Sequence, residues 1–230
     1  MCIPDNPVEE RILDEPSVVS VFAKENEEPM LKRPLDIVLS LAMLASSFPI
    51  GLLICLAIKL EDRGPIFYEQ ERWGINGSKF TAYKFRTMVP NSDDDFGIFQ
   101  AQENDHRTTT VGRVLRATGL DELPQLINIL RGEMSFVGPR SLAVGEMVKD
   151  QKGRVVDYEN VPGFRERLRV RPGLTGLATV YAPKDVSPRR KFRYDLLYIK
   201  RQSLWLDIRL ICLSFWISFR GRWESRGKKI

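Results

Sequence analysis

Residues 37 to 58 read IVLSLAMLASSFPIGLLICLAI, a run of 22 residues with no charged side chain. About 20 apolar residues in a helix are enough to cross the hydrocarbon core of a bilayer. A buried helix in a soluble core is the alternative, but an amphipathic period is missing here, since apolar residues occur on all sides. The segment therefore predicts a membrane-inserted helix.

The middle of this helix contains a helix breaker, Pro49, close to Ser46 and Ser47. Proline removes one backbone hydrogen bond, so a kink is expected, and serine hydroxyls can satisfy the freed carbonyls. Each flank carries two basic residues, so the charge bias that orients a spanning helix is missing. A re-entrant helix kinked at Ser47 and Pro49 fits this symmetry, and a single span is the alternative.

The charges of the chain are unevenly distributed. Residues 1–29 contain eight acidic and two basic side chains, whereas the remainder contains 33 basic and 22 acidic ones. A body this basic favours an anionic partner, and phosphates, nucleic acid and acidic lipid headgroups all qualify. The first 29 residues are predicted to form an acidic flexible tail.

The small numbers of cysteines and histidines limit the catalytic chemistry available to the protein. The three cysteines have no disulfide or metal-ligand spacing, which indicates a reducing cytoplasm. His106 is the single histidine, so a site that needs two histidines is excluded. Carboxylates and cations must therefore carry any catalysis.

Beyond the apolar segment the pattern predicts a mixed α+β fold, mainly helical, with one small β-hairpin over 65–88 that turns at Asn76-Gly77. A polar loop is expected over 90–105. Helices are expected over 111–116, 123–130, around 142–152, 192–200 and 204–219. The last helix combines tryptophans with arginines, including Trp223 just beyond it, which suits an amphipathic helix at the membrane interface.

Asp121 and Glu122 stand just before Pro124 in the stretch GLDELPQL. Because proline is accepted in the first turn of a helix, Pro124 predicts a helix start near Asp121. One interpretation is that the two acids cap this helix. The other is that a carboxylate kept ionised at a helix start serves as a nucleophile or a metal ligand.

Basic residues and glycine-rich turns accompany this acidic pair along the chain. Glycine beside arginine lets backbone amides approach an anion while the guanidinium binds it through two hydrogen bonds. The candidate phosphate or substrate ligands are Lys84, Arg86, Arg113, Arg140, Arg171 and Thr175. Together they describe a polyphosphate site in which Asp121 and Glu122 are available for Mg²⁺ and for attack. No Walker or Rossmann glycine pattern occurs.

From Lys32 to about Trp223 the sequence resembles the bacterial sugar transferase family, the monotopic phosphoglycosyl transferases. The matching motifs, in chain order, are KRxxD (32–36), GPIF (64–67), KFRTM (84–88), VGR (111–113), LDELPQ (120–125), GPR (138–140), RPGLTG (171–176) and YDLLY (194–198). So many motifs in one order make the resemblance specific.

The resemblance implies transfer of a sugar-1-phosphate from a UDP-sugar to polyprenyl (undecaprenyl) phosphate, with release of UMP and with Mg²⁺ as cofactor. This is the first step of exopolysaccharide, O-antigen or capsule-type glycan synthesis. Asp121 matches the family's nucleophile, which forms a phosphosugar–aspartate, and Glu122 the adjacent acid that handles Mg²⁺ or the acceptor. Arg86, Arg140 and Arg171 would hold phosphates.

The resemblance also implies a location and an organisation. The family's membrane segment is re-entrant and broken at a Ser-Pro pair, where this chain has Ser47-Phe48-Pro49. The expected parts are an acidic tail (1–29), a membrane-inserted helix with its flanks (30–63), a catalytic domain (64–223) and a basic tail (224–230). The catalytic domain would lie on the cytoplasmic face of the bacterial inner membrane, against the lipid bilayer.

No nucleic-acid partner is expected, and a homo-oligomer is compatible with the sequence. The alternative is a non-catalytic membrane-surface protein whose basic face holds acidic lipids or nucleic acid. Such a protein needs the arginines but has no use for Asp121 and Glu122.

Overall fold

A computed structural model describes residues 28–90, 105–149, 155–182 and 186–220. The predicted acidic tail up to residue 27, nearly all of the polar loop at 90–105, Trp223 and the basic tail at 224–230 lie outside these residues.

The apolar segment forms helix α1, which runs from Lys32 to Asp62 with Pro49 inside it. Among the described residues it is the one helix long and apolar enough to cross a membrane, and 11% of its most apolar window is buried. The helix continues past Pro49, so the predicted re-entrant kink is not confirmed. The hydroxyls of Ser46 and Ser47 donate to the carbonyl of Met43, at 3.2 and 2.6 Å. This is the common serine bond to the preceding turn of a helix.

Both ends of α1 pack on the rest of the protein, whereas its middle does not. Near its start, Leu39 and Met43 contact the main hydrophobic core. Near its end, Ile54 and Ile58 are buried in a second cluster. Residues such as Phe48 between them are exposed, as expected of a surface that meets lipid.

The predicted hairpin is confirmed. Strand β1 (Phe67–Trp73) pairs antiparallel with β2 (Lys79–Phe85). Asn76 and Gly77 have positive φ values of 54° and 76°, the geometry that Asn-Gly supplies in tight hairpin turns. On one face of β2, Phe80 and Ala82 are buried in the main core.

Helices α2 (Thr110–Thr118) and α3 (Gln125–Arg131) confirm two of the predicted helices. Between them Leu120–Glu122 form a 3-10 turn, which follows Gly119 in the left-handed conformation. The expected helix start near Asp121 is wrong, because α3 begins at Gln125. Pro124 is the residue before its first turn, and its φ of −62° is already helical.

The predicted helix around 142–152 is wrong over its described part. Residues Met147–Lys149 form strand β4, antiparallel to β5 (Val155–Asp157). The main chain before β4 hydrogen-bonds to the edge of β1. Trp73 donates its N–H to the carbonyl of Leu142 at 2.9 Å, and Val144 donates to that of Glu71 at 3.0 Å.

Strand β3 (Ser135–Val137) follows α3 and pairs in parallel with β6 (Gly173–Thr175). The backbones of the two segments approach closely at the end of β3. A Cβ on Gly138 would lie 2.4 Å from the carbonyl oxygen of Arg171. Glycine is therefore required at position 138 by contact, whatever binds nearby.

The described part of the chain contains four further α-helices: α4 (Phe164–Arg167), α5 (Leu177–Tyr181), α6 (Pro188–Arg201) and α7 (Leu204–Phe219). The last two confirm the predicted closing helices. Helix α7 buries Leu210 and Ile217 in the main core, while Trp205 and Phe219 are 77% and 87% exposed. Its place at a membrane interface stays a prediction.

Candidate active site

Asp121 and Glu122 face a lysine from the hairpin. The ammonium nitrogen of Lys84 lies 2.5 Å from Oε1 of Glu122 and 3.7 Å from Oδ2 of Asp121. All three side chains are largely buried. Because the pair belongs to a 3-10 turn that ends two residues before α3, it does not cap that helix, and this interpretation fails.

A buried asparagine joins the two elements that carry this cluster. Asn128 of α3 donates its amide to the carbonyl of Thr81 at 2.7 Å and accepts from the N–H of Tyr83 at 3.2 Å. Because Thr81 and Tyr83 lie in the strand of Lys84, these bonds hold β2 against α3. The strand that carries Lys84 is thereby fixed against the helix that follows Asp121.

The two carboxyl groups have different environments. Burial raises the pKa of Asp121 to about 6, with Lys84 opposing the rise and Glu122 adding to it. Burial alone would also raise the pKa of Glu122, but Lys84, Arg140 and Arg72 together lower it below its ordinary value. Glu122 therefore stays charged at neutral pH, while Asp121 holds a proton more readily.

Three arginines act electrostatically on the acidic pair. Arg140, which follows β3, and Arg72 of β1 lower the pKa of Glu122, and Arg116 of α2 lowers that of Asp121. Arg72 is buried and donates to Oγ of Ser141 at 2.8 Å, so it also holds the loop that carries Arg140. Glu146 is a third buried acid that interacts with Arg140 and Arg72. Three acids among four cations still leave a small excess of positive charge, which suits an anionic substrate.

The structure places Arg86 elsewhere than predicted. Its guanidinium is buried against Asp62 at the end of α1, with one hydrogen bond of 2.7 Å from Nη1 and a second from Nη2. Its Nε donates to the carbonyl of Pro65 at 2.6 Å. With these donors occupied, Arg86 anchors the membrane helix to β2, and its expected phosphate contact stays a prediction.

Arg113, Arg171 and Thr175 are also not brought to the acidic pair. Arg113 is exposed on α2 and is not among the charges that shift the pKa of Asp121 or Glu122. Arg171 donates to the carbonyl of Gly132, at the opposite end of α3, and pairs with Glu28. The hydroxyl of Thr175 is 2.5 Å from that of Ser214. Of the predicted ligands, Lys84 and Arg140 are therefore the two that join the pair.

Sequence analysis missed Arg72, and the predicted hairpin would not have revealed it. Opposite residues of an antiparallel pair share one face of the sheet. A two-residue turn at Asn76-Gly77 gives a register in which Arg72 opposes Thr81, on the face away from Lys84. In the structure the register is shifted by one residue, so Arg72 opposes Phe80 and shares the face of Lys84.

The acidic pair can be tested for its fit to Mg²⁺. No group of three or more metal-ligating side chains occurs within the described ranges. Magnesium is commonly bound by one or two carboxylates together with substrate phosphates and water. Asp121 and Glu122 supply that number of carboxylates, so the residues fit a metal that arrives with a phosphorylated substrate.

Fold and site together define a helix-anchored protein with an acidic pair set among cations. Residues 27–221 match the bacterial sugar transferase family. The chain belongs to this family.

The chain is 38% identical over 195 residues to the UDP-glucose:undecaprenyl-phosphate glucose-1-phosphate transferase of Klebsiella pneumoniae, a match of 83% of this chain and 40% of that protein. It is 41% identical over 187 residues to the exopolysaccharide production protein PSS of Rhizobium leguminosarum bv. phaseoli, covering 79% and 92%. A UDP-N-acetylgalactosamine-undecaprenyl-phosphate N-acetylgalactosaminephosphotransferase of Aeromonas hydrophila is 38% identical over 185 residues, covering 79% and 42%. The chain thus spans about 40% of the first and third of these relatives and nearly all of the second.

Proposed function

We propose that this protein transfers a sugar-1-phosphate from a UDP-sugar to undecaprenyl phosphate and releases UMP. The observation that carries the proposal is the contact of Lys84 with both Asp121 and Glu122, with Arg140 and Arg72 acting on the charge of Glu122. This arrangement offers a carboxylate nucleophile beside cations that can neutralise a diphosphate. The names of the relatives in Klebsiella and Aeromonas agree with this reaction class.

In the proposed first step, a carboxylate oxygen of Asp121 attacks the β-phosphorus of the UDP-sugar. The bond from that phosphorus to the bridging oxygen breaks, and UMP leaves with the bridging oxygen. The sugar phosphate is then bonded to Asp121 as a mixed anhydride. Lys84 and Arg140 neutralise the charge on the phosphate oxygens during this step.

In the second step, an oxygen of undecaprenyl phosphate attacks the same phosphorus and releases the carboxylate of Asp121. Lys84, Arg140 and Arg72 lower the pKa of Glu122 against the effect of burial, so this neighbour is charged and can orient the acceptor or a metal. Mg²⁺, held by Glu122 and Asp121, would supply further neutralisation of the phosphate charge.

The lipid acceptor gives α1 a role in the proposed function. Lys32 and Asp36 at its start, and Asp62 at its end, all bond to the same folded body. Because one folded body holds both ends of α1, placing that body at one side of a bilayer would keep both ends of the helix on that side. We therefore propose the re-entrant topology, with the site on the cytoplasmic face of the inner membrane.

Cysteine accessibility tests this topology. In a variant without native cysteines, Met30→Cys before α1 and Glu69→Cys on the hairpin should react with a membrane-impermeant maleimide from the same side of inverted vesicles. Phe48→Cys, in the exposed middle of α1, should be protected by lipid. Labelling of Met30→Cys and Glu69→Cys from opposite sides would establish a single span instead.

An assay of UMP release tests the reaction itself. Purified protein in nanodiscs with undecaprenyl phosphate and Mg²⁺ should release UMP from at least one member of a panel of UDP-sugars. UDP-glucose and UDP-N-acetylgalactosamine come first, because the relatives' names contain these sugars. Acidic-lipid binding without UMP release from any donor would favour the non-catalytic alternative.

Lys84→Met should change the pH profile of UMP release. Turnover by the wild type should fall as the pH drops through about 6, since Asp121 must be ionised to attack. Because Lys84 lowers the pKa of Asp121, its removal should move this acidic limb to higher pH and reduce kcat/KM by about a hundredfold. Lys79→Met, on the same strand in an exposed pair with Glu71, is the matched control. An unchanged acidic limb in Lys84→Met would show that Asp121 does not set it.

A further inference from the structure

A buried ion pair lies behind the loop that carries Arg140. Arg167 of α4 donates from Nε to Oδ2 of Asp195 on α6 at 3.0 Å, and its Nη2 is 2.8 Å from the same oxygen. Both side chains are 2% exposed. The guanidinium also lies 4.5 Å from the ring centroid of Phe192, so Arg167 is held on two sides.

Arg167 extends this pair to the candidate active site through the main chain. Its Nη2 donates to the carbonyl oxygen of Arg140 at 2.6 Å. Just before that residue, the carbonyl of Pro139 accepts from the N–H of Gly173 at 2.8 Å. Just after it, Ser141 is held by Arg72. The backbone that aims the Arg140 side chain is therefore fixed on both sides.

Stability alone does not explain the pair. A buried ion pair can often be replaced by apolar residues at little or no cost in stability, because removing two charges from water offsets their attraction. The neighbourhood would suit such residues, since Phe164 and Phe192 pack in the same region. Oδ1 of Asp195 is buried and has no hydrogen-bond partner among the described residues, so the carboxylate is not optimally satisfied.

The chemistry of the guanidinium group explains why position 167 is an arginine. A guanidinium has several N–H donors in a rigid planar fork, so Arg167 can hold a carboxylate and a carbonyl together. Lysine keeps the charge but presents its donors from one flexible point. A substitution of Arg167 by lysine should therefore retain the ion pair with Asp195 and loosen the Arg140 carbonyl.

We propose that Arg167, oriented by Asp195, is a positioning residue: it fixes the Arg140 peptide, and with it the position from which the Arg140 guanidinium reaches the diphosphate of the donor. The inference rests on the proposed function for its substrate, since Arg140 is the phosphate ligand through which Arg167 acts. Arg167 itself touches no reacting atom.

A double-mutant cycle tests this coupling. Arg167→Lys and Arg140→Ala are made singly and together, with Arg165→Lys, exposed on the same helix, as the matched control. UMP release gives kcat and KM separately, and calorimetric titration with UDP gives a Kd that does not depend on turnover. Arg167→Lys should lower kcat/KM by about ten- to a hundredfold, the effect of a small misplacement of a catalytic contact.

In the Arg140→Ala background the same lysine substitution should change kcat/KM and the UDP Kd by less than about twofold, because the side chain that it positions is gone. Equal losses in both backgrounds would overturn the inference and make Arg167 a purely structural residue. If UMP release by Arg140→Ala is too slow to measure, the effect of Arg167→Lys on the UDP Kd in the two backgrounds decides the test.

Two outcomes keep this test separate from the proposed function. If the wild type releases no UMP, the proposed reaction fails, while the UDP cycle still tests the coupling of Arg167 to Arg140. If Arg167→Lys does not fold, as seen by its melting temperature, Asp195→Asn replaces it with a side chain of nearly equal volume. It should show the same dependence on Arg140.

Discussion

Asp121→Asn should lower the rate of UMP release by about 10⁴-fold or more, the size of effect that follows loss of a nucleophile. Asparagine keeps the volume and the 3-10 turn but has no anionic oxygen to attack phosphorus. Because burial raises the pKa of Asp121, removal of its charge should not reduce stability, and the variant should melt at or above the wild-type temperature. The measurement is steady-state UMP release in nanodiscs.

Asp157→Asn is the matched control for this substitution. Asp157 accepts a hydrogen bond from the N–H of Glu159 at 2.8 Å, and asparagine can accept the same bond. The control should keep wild-type turnover. Glu122→Gln should lower turnover by about a hundredfold, a loss between those of Asp157→Asn and Asp121→Asn. It removes the charged partner of Lys84 but leaves the nucleophile in place. Near-normal turnover by Asp121→Asn would exclude Asp121 as the nucleophile.

Lys32→Met should cause the largest loss of stability, about 3–5 kcal/mol, because it leaves a buried carboxylate without its counter-charge. The ammonium of Lys32 lies 2.7 Å from Asp207 and donates to the carbonyl of Val137 at 2.9 Å and to the hydroxyl of Tyr198 at 3.1 Å. All of these groups are buried at the junction of α1 with the body. For a chain of this size the loss corresponds to a fall in melting temperature of about 10 °C.

Lys59→Met is the control, since Lys59 is exposed near the other end of α1 and donates only to the carbonyl of Arg63 among the contacts described. It should melt within a few degrees of the wild type. Lys32→Met/Asp207→Leu should recover most of the lost stability, because the unpaired buried charge is then absent. If Lys32→Met and Lys32→Met/Asp207→Leu melt at the same temperature, the loss of stability does not come from the unpaired carboxylate of Asp207.

The parts of the fold set by local sequence could be predicted. Asn76-Gly77 places the hairpin turn by its own backbone preference, and Gly119 and Gly132 end α2 and α3 in the left-handed conformation. The helix expected around 142–152 failed because distant main-chain groups of Glu71 and Trp73 bind this segment. No local pattern reports such a contact.

The residues of the candidate site were likewise only partly predictable from the sequence. Asp121 and Glu122 could be found from a short motif, and Lys84 and Arg140 were among the basic residues predicted to accompany it. The roles of Lys84 and Arg140 could not be separated from those of Arg86 or Arg171 by sequence, since a basic residue in such a motif can either bind phosphate or stabilise the fold. The contacts in the folded protein separate these roles. Arg86 binds Asp62, whereas Arg171 binds the carbonyl of Gly132 and the carboxylate of Glu28.

The proposed covalent step can be tested without the acceptor lipid. Protein in nanodiscs is mixed with a UDP-sugar that supports turnover and with Mg²⁺, then quenched and digested for mass spectrometry. We expect about one equivalent of UMP to be released rapidly, and the peptide that contains Asp121 to gain the mass of one sugar phosphate. Addition of undecaprenyl phosphate should discharge this adduct, and Asp121→Asn should not form it. Turnover with no adduct on the wild type, or an adduct that persists in Asp121→Asn, would contradict the account.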